Sequence, residues 1–282
     1  MRTVISASRR TDVPAFYLRW LDYHLRRGFV DVRNPVVKNN TYRVSLLPES
    51  VHTLVLWSKN YGPFLASRLA RDASYRWYFN FSLVDTPEWE LAVPPLDERL
   101  EQVKELCRRW SPRHVNWRFD PIVFWDEGRR HNLERFEPLC DFMAGQGVTR
   151  CTFSFVTWYN KIRRRTREFP IQGFDPPLSQ KLDILARLSA YARARGIVLE
   201  SCSNDELLAA AGVVKGRCIH GDLLAALAGE PCTRAKDPSQ RADCGCTKSA
   251  DIGSYDMSCP HACMYCYAKP ILRPAGKSAC SA

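Results

Sequence analysis

Six short β-rich segments recur along the chain, each followed by a stretch with helical periodicity: Thr3–Ser8, Val51–Trp57, Tyr75–Ser82, His114–Phe119, Cys151–Val156 and Gly196–Cys202. Repeated strand-then-helix units are the pattern of parallel strands joined by helical crossovers. The first helix is the best signalled. Asp12 is placed to cap it, Pro14 suits its first turn and Gly28 suits its end. Phe16, Trp20 and Tyr23, with Leu21 and Leu25, mark its apolar stripe. Leu96–Trp110 and Leu178–Arg195 also read as amphipathic helices, whereas Pro138 interrupts the pattern over Asn132–Met143. Six units are too few for an eight-stranded barrel. They suit a partial (β/α)6 barrel or an open doubly wound sheet.

Polar rows favour the partial barrel. Alternate residues of a strand share a face. Asn116, Arg118 and Asp120 form one such row; Asn80 with Ser82, Thr152 with Ser154, Glu200 with Cys202, and Ser6 with Ser8 form others. The rows cluster at the carboxyl ends of the strands, where parallel α/β folds place their sites. Arg118, Asp120, Lys59 and Glu200 are therefore candidate catalytic residues, although Arg118 and Asp120 also suit a structural ion pair. Arg9 and Arg10 suit bidentate contact with a carboxylate or phosphate. Trp57, Trp117, Phe119 and Trp158 read as core aromatics.

Composition changes after residue 202. Nine of the twelve cysteines lie at or beyond that point, and only Asn204–Ala211 and Asp222–Ala228 look helical. A segment so poor in regular structure needs another source of order, and bound metal supplies one. The expected architecture is thus α/β: a partial (β/α)6 TIM-like barrel over residues 1–202, with a cysteine-rich iron–sulfur extension, 203–282, packed on its mouth. Arg273–Ala282 reads as a frayed tail, with Cys280 as a spare thiol.

Cys259, Cys263 and Cys266 can wrap one metal centre from a single loop stiffened by Pro260. Tyr265 can cover such a centre against water. Three thiolates can hold a [4Fe–4S] cluster and leave one iron open, whereas zinc needs a fourth ligand, for which His261 is at hand. A second set, Cys202, Cys218, Cys244 and Cys246, can close a fully ligated [4Fe–4S] centre, with Cys232 as an alternative ligand. Such a centre suits electron relay or a structural staple. The inert alternative is that some of these are buried thiols.

The three-then-two spacing, with an aromatic residue before the last cysteine, resembles the cluster motif of the radical S-adenosylmethionine (SAM) superfamily. Nearly the whole chain also resembles an uncharacterised bacterial domain-of-unknown-function family described by a C-terminal cysteine cluster similar to the radical SAM one. The carrying segments are Ile5 to Ala15, Val32-Arg33-Asn34-Pro35, Leu56 to Asn60, Trp117 to Pro121, Cys244-Gly245-Cys246 and Cys259 to Tyr267. The superfamily resemblance implies a (β/α)6 barrel, a cluster held by Cys259, Cys263 and Cys266, and SAM on the open iron. Tyr265, Arg9, Arg10 and Asn60 are then candidates for the cofactor-binding wall. Two features depart from the superfamily: the motif follows the sixth strand segment rather than the first, and Ser58-Lys59-Asn60 stands where a Gly-Gly-Glu segment normally holds the SAM amino group.

The remaining expectations follow from composition. No run of about 18 apolar residues occurs, so no membrane span is expected. The first ten residues lack a secretory pattern. A reducing cytoplasm, where clustered cysteines favour metal over disulfide, is the expected setting. The net charge of +11 suits a phosphate-rich partner such as nucleic acid, and Lys161–Arg167 is its densest run, but no nucleic-acid motif accompanies it. The leading expectation is a radical-SAM-like iron–sulfur enzyme served by an electron donor and acting on an unidentified substrate. Beside it stand a non-catalytic iron–sulfur electron-transfer or sensing protein and a zinc-stabilised nucleic-acid-processing protein.

Overall fold

The computed structural model describes residues 1–33 and 40–272. Asn34 and Pro35 of the family segment, the tail Arg273–Ala282 and Cys280 lie outside the described residues.

From the amino end the chain forms β1 (Thr3–Ala7), α1 (Val13–Phe16), α2 (Leu18–Arg27), an antiparallel pair β2 (Phe29–Arg33) and β3 (Thr41–Ser45), β4 (Val51–Ser58), α3 (Gly62–Ala66), β5 (Trp77–Ser82), α4 (Leu96–Trp110) and β6 (Val115–Ile122). It continues through β7 (Phe124–Trp125), β8 (Arg130–His131), α5 (Phe136–Gly145), β9 (Arg150–Phe155), α6 (Asn160–Thr166), β10 (Gly173–Phe174) and α7 (Leu178–Arg193). The last elements are β11 (Val198–Ser201), β12 (Val214–Lys215), α8 (Gly221–Ala228) and β13 (Ala250–Asp251).

Eight strands make one parallel sheet, in the order β12-β11-β9-β6-β5-β4-β1-β13. From β1 to β12 the order is that of the chain; the absent numbers belong to two small antiparallel sheets, β2-β3 and β10-β7-β8. The six expected strands are β1, β4, β5, β6, β9 and β11. Both edge strands come from the segment after residue 202. β12 extends one edge, and β13 pairs with β1 at the other, Ile5 opposite Ala250 and Ser6 opposite Asp251.

A monotonic order with right-handed crossovers places successive helices on one face. There Ile5, Leu54, Leu56, Phe79, Phe81, Trp117, Phe119, Phe153 and Leu199 share a core with Leu21 and Leu25 of α2, Val103 and Leu106 of α4, Leu139 and Met143 of α5, and Leu185 and Leu188 of α7. The alternate residues Val4, Val55 and Tyr78 turn the other way and pack on Cys218, Ile219, Leu224, Cys232, Cys244 and Cys246. The cysteine-rich segment therefore covers the sheet face that the helices leave free.

Local signals explain the elements, with some corrections. Asp12 Oδ1 accepts from Ala15 N at 2.9 Å, and Gly28 ends α2 at φ 79°. A Cβ there would stand 2.7 Å from Leu47 Cδ2. The single helix expected here is two, because Tyr17 leaves helical geometry (φ −126°, ψ 28°), and its hydroxyl donates to Ser258 O at 2.5 Å. Pro138 does not interrupt a helix; it sits in the first turn of α5, where a proline lacks nothing the helix would use. The helix expected over Asn204–Ala211 is a 3-10 turn over Asp205–Ala209. Among the described residues no helix is long and apolar enough to cross a membrane.

The polar rows meet on the face covered by the cysteine-rich segment. Asn116 Nδ2 donates to Asn80 Oδ1 at 2.8 Å and to Thr152 Oγ1 at 3.0 Å, and Asn80 Nδ2 donates to Cys218 O at 3.2 Å. All three side chains are fully buried. Asn116→Ala strands two buried polar groups, so the urea-unfolding free energy should fall by about 2–3 kcal/mol. An unchanged midpoint would show that the row is dispensable to the fold.

Candidate functional site

The parallel pairing of β13 with β1 delivers the cysteine loop to the carboxyl end of the sheet. Asp251 clamps the junction. Its carboxylate accepts from Ser6 Oγ at 3.0 Å, Ser8 Oγ at 2.7 Å and Arg9 N at 2.9 Å, and Ile252 N then donates to Ser6 O at 3.0 Å. The loop is also tied across the sheet end. Met264 N donates to Trp89 O at 2.9 Å, Ala92 N to His261 O at 3.1 Å, and Tyr267 Oη to Arg9 O at 2.7 Å. Within it, Cys259 N bonds Lys269 O at 2.8 Å and Ile271 N bonds Cys259 O at 2.9 Å. Ala262 turns the chain at φ 53°, a left-handed conformation uncommon for a residue with a Cβ.

Cys263 and Cys266 pack in one cluster with Trp89, Trp125 and Tyr265, and Cys259 stands at the start of the same loop. Burial pushes Cys259 up to about 12, raises Cys263 well above the usual thiol value and raises Cys266. Ala268 N donates to Cys266 Sγ at 3.3 Å, and Arg165 Nη2 donates to Cys266 O. A wall of fixed charge adjoins them. Lys59 Nζ lies 2.5 Å from Glu90 Oε1, Arg99 Nη1 lies 3.9 Å from Glu90 Oε2, and the Tyr265 hydroxyl donates to Glu90 Oε1. Burial works against the Lys59 ammonium, but Glu90 and then Cys263 outweigh it and hold its pKa above the ordinary value. Burial likewise works against the Glu90 carboxylate, but Lys59 and Arg99 hold its pKa down.

Asp12 does more than cap α1. It accepts from Ser58 Oγ at 2.8 Å and from Lys59 N at 2.9 Å, and its Oδ2 lies 2.9 Å from His261 Nε2. His261 Nδ1 faces Ala92 O at 3.3 Å, so both ring nitrogens are engaged by protein acceptors. The ring is not spare as a fourth metal ligand.

The second cysteine set gathers on the same sheet face. Cys218 stands close to Cys202 and Cys246, and Cys244 close to Cys246, near enough for each thiol to bias its neighbour's ionisation. Cys202, beside Cys218, and Cys246, beside Cys218 and Cys244, are held below the ordinary thiol value. The same neighbours raise Cys218 and Cys244. Arg118 links the second set to Asp120: it donates through Nη1 to Cys218 Sγ and through Nη2 to Asp120 Oδ2, while Ser154 Oγ donates to Asp120 Oδ1. Burial works against the Asp120 carboxylate, but Arg118 and then Ser154 keep its pKa below the ordinary value. Among the described residues the eleven cysteines are all free thiols, and no group of three His, Cys, Asp or Glu side chains stands ready around a single ion.

The other sequence candidates divide. Lys59, Tyr265, Arg118 and Asp120 stand with the cysteines. Arg9 lies by Cys246, its guanidinium 5.1 Å from the Trp57 ring centre. Arg10 is held at the β13 junction instead, Nη1 bonding Gly253 O at 2.7 Å and Nε 4.0 Å from Asp251 Oδ1, with its guanidinium over the Tyr255 ring. Glu200 is committed to Arg150, with both oxygens at 2.7 Å from guanidinium nitrogens. Asn60 closes a turn, accepting from Gly62 N at 3.0 Å and Gln102 Nε2 at 2.9 Å. Sequence reasoning missed Glu90, Asp251, Arg99 and Arg165 as site residues. Glu90 and Asp251 carry no periodic or motif signal. Arg165 was visible only as part of a charge run, which folds as α6.

A family model described as "Domain of unknown function (DUF1848)" matches residues 4–268. No curated protein and no solved structure matches the chain.

The Lys59–Glu90 pair sets a pH test. Glu90 ionises below its ordinary 4.5 in the folded chain, so its contribution is present above that value and is lost as the pH falls through the folded value. Glu90→Gln leaves the Lys59 charge buried without its partner and should lower stability at pH 7 by about 3 kcal/mol. The gap to the wild type should narrow as the pH falls below 4.5. Denaturant titrations at both pH values measure this, and an equal gap at each would remove the pair from the account of stability.

Proposed function

We propose that this chain, which belongs to the DUF1848 family, is an iron–sulfur enzyme of the radical SAM type. Cys259, Cys263 and Cys266 hold a [4Fe–4S] cluster, and SAM is cleaved reductively to begin radical chemistry on a substrate enclosed by a partial (β/α)6 barrel.

One observation carries the reading: β13 lies beside β1, parallel and in register, so the cysteine loop leaves the sheet at the carboxyl end of the strand next to β1. In the resembling superfamily the motif follows the first strand. Here the chain order is permuted, but the loop hangs over the same end of the sheet. The monotonic strand order and the helices packed on one face are what a sheet curling into a partial barrel requires.

The residues fit the cluster. The ligands are soft thiols, and the Ala268 N–H bond to Cys266 Sγ is of the kind that tunes cluster sulfurs. Arg165 Nε is buried without a hydrogen-bond partner among the described residues, on the side chain that already binds the backbone of Cys266. A cubane takes its ligand sulfurs on separate irons, and so does not demand convergence on one point at about 2.3 Å, as a single zinc does. A cluster held there would, once reduced by an external one-electron donor, supply the electron for reductive cleavage of SAM, with methionine as the leaving group.

The chain's own groups then bind and orient. Lys59 keeps its proton and Asp120 stays ionised, while burial and then Glu90 keep Tyr265 a neutral phenol. None exchanges protons near neutrality. A wall of this kind suits electrostatic binding of a ligand carboxylate, for which the Lys59 ammonium supplies the charge, rather than acid–base catalysis. Trp89, Trp125 and Val123 pack with Cys263, Met264 and Tyr265 and exclude water from a reactive intermediate.

The test is anaerobic reconstitution with iron and sulfide, chemical reduction and addition of SAM. 5′-Deoxyadenosine should form, and serine at Cys259, Cys263 or Cys266 should abolish it, while Cys107→Ser on α4 should not. An iron-loaded, reduced protein that neither binds nor cleaves SAM overturns the reading.

A further inference from the structure

We infer that Cys202, Cys218, Cys244 and Cys246 form a second metal centre, a fully thiolate-ligated [4Fe–4S] cluster seated on the sheet face opposite the helices. It uses none of the three cysteines of the proposed SAM site and stands or falls separately from that proposal.

The four thiols come from three stretches of chain brought together by backbone contacts. Cys202 follows β11, and its N–H donates to Phe153 O at 2.9 Å. The loop carrying Cys218 is held to the same strand end by Gly216 N, which donates to Ser201 O at 2.8 Å. The loop carrying Cys244 and Cys246 is held to the Cys218 loop by Thr247 N, which donates to Ile219 O at 3.0 Å. Both approaches require glycine. A Cβ on Gly216 would lie 2.6 Å from Ser201 O, and one on Gly245 would lie 2.6 Å from Gly216 O. Backbone atoms cannot yield as a flexible side chain can, so these two glycines are what allow the three thiol-bearing stretches to close.

The surroundings suit a buried, negatively charged thiolate group. Ile219 N donates to Cys246 Sγ at 3.4 Å, and Arg118 Nη1 donates to Cys218 Sγ. Arg9 approaches Cys246, and its Nη2 is buried with no hydrogen-bond partner among the described residues. One guanidinium and a backbone N–H donating to thiol sulfurs, with a second guanidinium nearby, are the charge compensation and sulfur bonding that such clusters use. The segment around the thiols has few long elements of its own; α8 is its only helix longer than one 3-10 turn among the described residues. A cross-link through four sulfurs supplies order there. Position favours a redox-active cluster over structural zinc. The set lies one ion pair, Arg118–Asp120, from the charged wall of the first set, at the carboxyl-end half of the sheet.

The experiment compares three full-length chains after anaerobic reconstitution: the wild type, the triple variant Cys259→Ser/Cys263→Ser/Cys266→Ser, and the double variant Cys244→Ser/Cys246→Ser. Iron, acid-labile sulfide and zinc are counted per chain, and the reduced proteins are examined by electron paramagnetic resonance. The triple variant should keep about four irons and four sulfides, half the wild-type content, with a reduced-cluster signal. Because it leaves the second set untouched, it decides the matter even if the double variant does not fold. In the triple variant, Arg118→Gln should lower the midpoint potential of that signal, since a positive donor beside a sulfur favours the reduced cluster. A folded triple variant with neither iron nor sulfide overturns the inference. So does one holding zinc without sulfide, which would make the site a structural zinc centre.

Discussion

The pairing of β13 with β1 is the interaction on which the rest of the arrangement depends. It is short, two residue pairs, yet it joins the two ends of the described chain. Asp251 makes it specific by accepting from two serine hydroxyls and a backbone N–H of the β1 end. Everything beyond residue 251 then starts from the carboxyl edge of the sheet. The cysteine loop needs no long linker to reach Lys59, Glu90 and Asp12, because it begins among them.

A second constraint comes from burying charge. Glu90, Arg99 and Arg118 are buried and Lys59 and Asp120 largely shielded, and each is answered by an opposite charge or a hydrogen bond. The cost of taking these groups out of water is not recovered by packing, since neighbouring positions hold apolar side chains at no such cost. Retaining them concentrates fixed charge beside the thiols. Arg118 is in contact with a thiol of the second set and with the Asp120 carboxylate.

Legibility in the sequence followed the range of the interactions. The strand segments, the Asp12 cap and the Gly28 stop depend on neighbours within a few residues, and they stand where the pattern put them. The three-then-two cysteine spacing is equally local, so the first set of thiols is visible as a candidate in the sequence. Errors arose where local pattern met tertiary demand. Pro138 looked like a helix breaker because its place in the first turn was not visible. Glu200 shared a face with Cys202, yet Arg150, fifty residues away, takes both its oxygens. Asn60 sat beside Lys59 but serves a turn. Glu90 and Asp251 gave no sign at all, since a lone acid in a loop looks the same whether it is solvated or anchors a site.

By itself, then, the sequence determined the α/β class, the parallel habit of the strands and the two candidate groups of thiols. Each of these follows from period and spacing, which the chain carries locally. Only the tertiary structure decided that the cysteine-rich segment supplies both edges of the sheet and covers its free face. Only it decided which acids and bases stand beside the thiols, because those partners lie 100 to 250 residues apart and meet through strand pairing.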